Sequence, residues 1–289
     1  MTQFILQNEV IQMKYKIVAD SSANLMELEG VDFAYAPLKI CTDEQEYVDD
    51  AQLDVAAMVQ DIAAYKGKTS TACPNADEWR EAFGDAEHVF CVAITSNLSG
   101  SYNAAMIAKN DYEAAHPDRH VCVIDTLSAG PEMTLVVEKI RDLIKAGEEY
   151  ESICAKVREY MNHTRLIFSL ESLKNLARNG RVKPAVAAIA GLIGIRLIGK
   201  ASDEGTLEPT NKCRGERKAL AQLLTNMIEL GYEGGRVRIV HCMNSNAAQA
   251  LKESIRNAFA KADIQVDITR GLCSYYAELG GLLVGFETR

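Results

Sequence analysis

Over the first half of the chain, short β-branched and aromatic runs alternate with stretches of helical spacing, the pattern of a parallel sheet with crossover helices. Residues 15–19, 33–40, 88–95 and 120–126 read as strands. Between them, 54–66 and 101–115 carry helical spacing, and Asn75 with Glu78 forms a capping box ahead of Trp79. Pro131 suits a first helical turn, where its missing N–H costs nothing, and the helix it opens stops at Gly147. A helix over 150–162 closes this half.

The grammar then changes. A strand over 166–170 precedes a short helix over 171–178 that ends at Asn179-Gly180, and a small apolar helix spans 184–192. Two extended runs, 193–201 and 206–213, flank Ser202-Asp203-Glu204-Gly205, a turn composition that predicts a β-hairpin. A helix over 216–230, a strand over 236–242, a helix over 246–262 and strands at 264–269 and 282–288 follow. The fold class is therefore α/β, in two α/β domains: 14–163 with a mainly parallel sheet, and 164–289 with a mixed, partly antiparallel sheet. Residues 1–13 read as a leader segment. A length of 289 residues suits two such units.

Composition removes several functions. The net charge is −9 and no Lys/Arg-rich run occurs, which argues against a nucleic-acid partner. The longest apolar stretch, 185–195, is too short to cross a bilayer and is broken by Gly191 and Gly194. The amino terminus lacks the continuous apolar core of a secretory signal, so the expected location is cytoplasmic. Eight cysteines lie at least eighteen residues apart, which excludes CxxC pairs, and the five histidines form no HExxH set, so no metal site is expected. The cysteines read as reduced packing residues.

In an open parallel sheet, ligands bind beyond the carboxyl ends of the strands. The loops there are rich in hydroxyls: Asp20-Ser21-Ser22, residues 95–101, residues 125–130, and Thr69-Ser70-Thr71-Ala72-Cys73-Pro74. Hydroxyls and helix amino termini suit a small anion such as a carboxylate, although the same residues are ordinary helix caps. None of these loops holds a His, Lys or Arg, which leaves a general base, a phosphate clamp and a metal cluster without support. Ser99 lies outside any GxSxG elbow, so a serine hydrolase or acyltransferase would need a distant histidine. Gly194 to Lys200 imitates a phosphate-binding loop, but Ala201 replaces the magnesium-binding hydroxyl, and no GxGxxG occurs.

The order of Ile17-Val18-Ala19-Asp20-Ser21-Ser22, Thr71-Ala72-Cys73-Pro74, Asn97-Leu98-Ser99-Gly100-Ser101, Asp125-Thr126, Leu173-Lys174 with Asn179-Gly180-Arg181-Val182, and Glu208-Pro209 with Cys213-Arg214-Gly215 resembles the DegV family from about residue 14 to the carboxyl terminus. The resemblance implies a protein without catalytic machinery or cofactor. It would hold a long-chain fatty acid in a buried tunnel and present the carboxylate to a separate fatty-acid kinase subunit. It implies a carboxylate site at Thr71 and Ser99, with a second register at Thr69. Where the family carries a histidine, this chain has Tyr276, which can donate a hydrogen bond but brings no positive charge near neutral pH. That departure keeps open a regulatory protein for another small amphiphile. The resemblance also implies a partner contact at Arg181 and a ligand contact at Arg214 near the mouth. Apolar residues of 185–198 are candidates for the tunnel wall, as they are for ordinary core.

Overall fold

Strands β1 (Tyr15–Asp20), β2 (Asp32–Ala36), β6 (His88–Ala93) and β7 (His120–Asp125) form an all-parallel sheet in the order β2-β1-β6-β7. Both of its faces are apolar, as a parallel sheet covered on two sides requires. Val18, Val89, Cys91 and Val121 meet helices α2 (Ala76–Phe83) and α3 (Ser101–Ala115) through Trp79, Phe83 and Ala105. Ile17, Phe90, Val92 and Ile124 meet α4 (Pro131–Lys145) and α5 (Tyr150–Met161). The predicted capping box opens α2: Glu78 N–H donates to Asn75 Oδ1 at 3.0 Å, and Asn75 N–H to Glu78 Oε2 at 2.8 Å. The computed structural model describes residues 15–183, 186 and 194–289. The expected leader over 1–13 and helix over 184–192 lie outside the described residues, apart from Val186.

A second sheet of β8 (Thr164–Leu170), β9 (Ile195–Ala201), β10 (Leu207–Arg214), β11 (Arg236–His241), β12 (Asp263–Ile268) and β13 (Leu282–Glu287) runs β10-β9-β8-β13-β11-β12. It is antiparallel except for β11 beside β12, the mixed character expected. Its outer face packs on α7 (Glu216–Glu229) and α8 (Ser245–Ala258) through Leu223, Met227, Leu251 and Ile255. Its inner face meets α4, in which eleven of fifteen residues are buried. A helix buried on nearly all sides sits between layers. Accordingly α4 lies between the two sheets, and Arg238 of β11 grips Glu138 of α4 with two hydrogen bonds of 2.9 and 2.8 Å.

The single strand expected over 33–40 is two. Pro37 lacks an N–H for the ladder, and the Leu38 N–H leaves the sheet to donate to Ser21 Oγ at 3.0 Å. The chain then starts β3 (Lys39–Thr42), which pairs with β4 (Glu46–Val48) and β5 (Thr69–Ala72) in a small antiparallel sheet. Residues 69–72, expected as loop, are thus a strand. The short helix expected from 171 is α6 (Lys174–Arg178), and α1 (Val55–Ala64) falls where the spacing predicts it. A further helix, α9 (Gly271–Ala277), carries both tyrosines of the carboxyl-terminal segment.

Candidate functional site

Asp20 ends β1 fully buried, and its carboxylate organises the neighbouring strand end. It accepts the Ile94 N–H at 2.9 Å and the Ser101 hydroxyl at 2.7 Å, which fixes the loop between β6 and α3. Burial pushes the Asp20 carboxyl above its ordinary value, and these hydrogen bonds oppose the shift only in part. Asp125 accepts the N–H groups of Ser96 and Leu127, each at 3.1 Å, and the Thr126 hydroxyl donates to the Ala93 carbonyl at 2.8 Å. Those loop groups serve as caps, the ordinary role of such residues. Thr71 and Ser99 also face a cavity.

Both line a cavity enclosed by the parallel sheet's carboxyl ends, the inner face of the second sheet, α9 and β5. About 730 Å³ of non-atom space lies within its walls and mouth, open solvent included. Thirteen of its seventeen described lining residues are apolar, so the interior suits a hydrocarbon. Leu166, Phe168 and Leu170 supply one wall because alternate residues of β8 share a face. The four polar exceptions are Thr71, Ser99, Arg181 and Tyr276.

These four come from two elements and two loops, and the packing draws them together. A Cβ added to Gly100 would stand 3.2 Å from Cys73 Sγ, so the Ser99 loop runs close against the segment that carries Thr71. Thr71 Oγ1 and Tyr276 OH share a hydrogen bond of 2.8 Å. Burial pushes the Tyr276 hydroxyl upward, with the Thr71 bond and the Arg181 charge opposing it, so it is a neutral donor at neutral pH. Arg181 Nε donates to the Leu98 carbonyl at 3.1 Å, and its Nη1 donates to the Asn179 carbonyl. Ser99 Oγ accepts the Ser101 N–H at 3.3 Å, which leaves its own proton free to donate. One end of an apolar cavity thus offers three hydroxyls and one guanidinium, the only charged side chain among the described lining residues.

Helix α9 carries no capping side chain of its own. The buried Asp49 does that work from the other half of the molecule, accepting the Gly271 and Leu272 N–H groups at 2.7 and 2.9 Å. Two cysteines stand at the site: Cys273 lines the cavity and Cys73 lies beside Gly100. Burial pushes both thiols up, so neither presents a thiolate at neutral pH. Among the described residues no histidine lines the cavity, and Ser99 has no base within it.

Several expectations change here. Of the two registers, Thr71 lines the cavity, whereas Thr69 is buried behind it against Tyr275 OH at 2.7 Å. Arg214 is not at the mouth. It is exposed at the far end of β10, seven residues from the cavity-lining Leu207, about 23 Å at the rise of a strand. Arg181, expected as a partner contact, lines the cavity itself. Most of 185–198 lies outside the described residues; the described Leu197 and Ile198 belong to core clusters, and the described lining includes Leu166, Phe168 and Leu170 of β8 and Leu272, Cys273 and Ala277 of α9. Sequence reasoning missed Leu207 and the wall residues of β8, whose alternation at Leu166, Phe168 and Leu170 was the available signal.

The family model described as "Uncharacterised protein, DegV family" matches residues 14–288. The chain belongs to the DegV family. A DegV domain-containing protein of Streptococcus pneumoniae is 42% identical to it over 279 residues, spanning 95% of this chain and 99% of that one. Among solved structures, a DegV family protein from Eubacterium eligens loaded with heptadecanoic acid is 44% identical, covers 95% of this chain and all of its own, and superposes with a TM-score of 0.94. The Streptococcus pneumoniae Fatty Acid Kinase (Fak) B3 protein loaded with linoleic acid is 41% identical over 96% of this chain and 100% of that chain, also at 0.94. This DegV chain has no helix among its described residues that is long and apolar enough to cross a membrane.

Proposed function

We propose that this protein binds one long-chain fatty acid in the cavity and presents its carboxylate to a separate fatty-acid kinase subunit, without catalysis of its own. The observation that carries the reading is the polarity of the cavity: among the described lining residues thirteen are apolar and four polar, with one cation among the four. That is the complement of an anionic head on a hydrocarbon tail. Each methylene buried contributes about 0.8 kcal/mol before the costs of association. A carboxylate brought into such surroundings needs donors and an opposite charge. Thr71, Ser99 and Tyr276 are the donors in this reading and Arg181 is the opposite charge; Arg214 has no part in it. The kinase partner is drawn from the likeness to Fak B3.

The test is titration of delipidated protein with a long-chain fatty acid, comparing the native chain with Thr71→Val and Ser99→Ala. Removal of either donor is expected to weaken binding about three- to tenfold, with no acyl-ester turnover in any of the three proteins. Ester hydrolysis by the native chain that Ser99→Ala abolishes would replace this reading with an acyl hydrolase.

A further inference from the structure

Behind the cavity wall runs a second set of polar contacts that would not touch a bound ligand. Thr69 and Thr71 stand two apart on β5 and share one face. The consecutive tyrosines of α9 reach that face together: Tyr276 OH meets Thr71 Oγ1 at 2.8 Å, and Tyr275 OH meets Thr69 Oγ1 at 2.7 Å. Tyr276 lines the cavity, whereas Tyr275 is 2% exposed and lies outside it. The Tyr275 oxygen has another partner, the Asn179 side-chain amide, which donates to it at 2.8 Å. The Asn179 carbonyl in turn accepts from Arg181 Nη1, and Arg181 Nε reaches the Leu98 carbonyl beside Ser99.

Hydrogen bonds that meet at Asn179 therefore link β5, α9 and the turn after α6 to Arg181, the one cation among the described lining residues. The backbone closes the turn, with the Asn179, Gly180 and Arg181 N–H groups donating to the Asn175, Ala177 and Leu176 carbonyls at 3.1, 3.1 and 2.8 Å. Helix α6 is five residues long, too short to be stable alone, and Asn179 is its terminal cap, followed by Gly180 at φ +71°. Among the described residues the Asn179 side chain makes one further bond, to the Asn175 carbonyl at 2.9 Å, so the Tyr275 hydroxyl is the contact that ties this turn to α9.

We propose that Tyr275 is a positioning residue for the ligand's acid group: its hydroxyl holds the Asn179 turn, and through it the Arg181 guanidinium, in register with Thr71 and Ser99. The inference rests on the fatty-acid reading above and adds a residue that touches neither ligand nor cavity. Tyr275→Phe keeps the buried ring and deletes only the hydroxyl, and Asn179→Ala cuts the same link from the other side.

Delipidated full-length variants are titrated with a long-chain saturated fatty acid and with the primary alcohol of equal length. Both substitutions are expected to weaken binding of the acid about three- to tenfold and to leave binding of the alcohol unchanged, because only the acid calls on Arg181. Tyr275→Phe added to Arg181→Gln is expected to weaken acid binding no further than Arg181→Gln alone. Parallel loss of acid and alcohol would assign Tyr275 to packing and overturn the proposal, as would additive losses in the double variant. Acid binding undiminished by Tyr275→Phe would overturn it while leaving the fatty-acid reading intact. A native chain that binds neither ligand would overturn both.

Discussion

Replacing Glu138 with leucine should cost about 3–5 kcal/mol of stability, the penalty for removing one member of a buried ion pair. The pair lies between α4 and β11, where it joins the two sheets, and its side chains are 6% and 5% exposed. In the variant the Arg238 guanidinium keeps the Val237 and Asp263 carbonyls at 3.0 and 3.2 Å and the half-exposed Asp263 carboxylate at 3.1 Å. It loses its two-pronged partner and remains shut away from water. An exposed pair would cost only about 0–1 kcal/mol, so the size of the effect identifies burial as its cause. Adding Arg238→Met removes the stranded charge as well, and the double variant should return to within about 1 kcal/mol of the native protein or exceed it. Equilibrium unfolding in urea with matched slopes measures all three differences. A loss below about 1 kcal/mol for Glu138→Leu, or a double variant as unstable as the two single losses added, would refute the reasoning.

Gly205→Ala tests the hairpin that closes over the site: at φ +73° an added Cβ would stand 2.2 Å from Thr95 Oγ1 and 2.8 Å from Leu127 Cα. The expected loss is about 1–3 kcal/mol, with faster hydrogen exchange across 202–206. Asp20→Asn tests the buried carboxyl. Because burial raises the Asp20 pKa above 3.8, its contribution to stability is complete below that pH and is lost as pH rises through the folded-state value. The variant's melting temperature should therefore fall less than the native protein's between about pH 4 and 7, and superimposable profiles would contradict the assignment.

Elements with local signals were legible in the sequence. The capping box before α2, the proline that opens α4 and the turn between β9 and β10 each rest on residues within a few positions of one another. Strands β4 and β5 carry Glu46 and a Thr-Ser-Thr run in place of apolar alternation, so their pairing is visible only once Ile40 of β3 stands beside them. Helix α9 was illegible for a different reason, since its cap is Asp49, 222 residues before Gly271. Thr71, Ser99 and Tyr276 were found through motif order, and the cavity brings them together. Arg214 failed because order along the chain says nothing about which end of an eight-residue strand faces a cavity. Arg181 was expected as a partner contact, yet it lines the cavity and its hydrogen bond to the Leu98 carbonyl holds it there.

The central claim is that the cavity holds a fatty acid by its acid group. Native mass spectrometry of the chain, delipidated and then mixed with equimolar long-chain fatty acid and the primary alcohol of equal length, tests it most directly. The account predicts one ligand per chain, the acid outcompeting the alcohol, and that preference disappearing in Arg181→Gln. No bound lipid, or equal occupancy by acid and alcohol in the native protein, would contradict it.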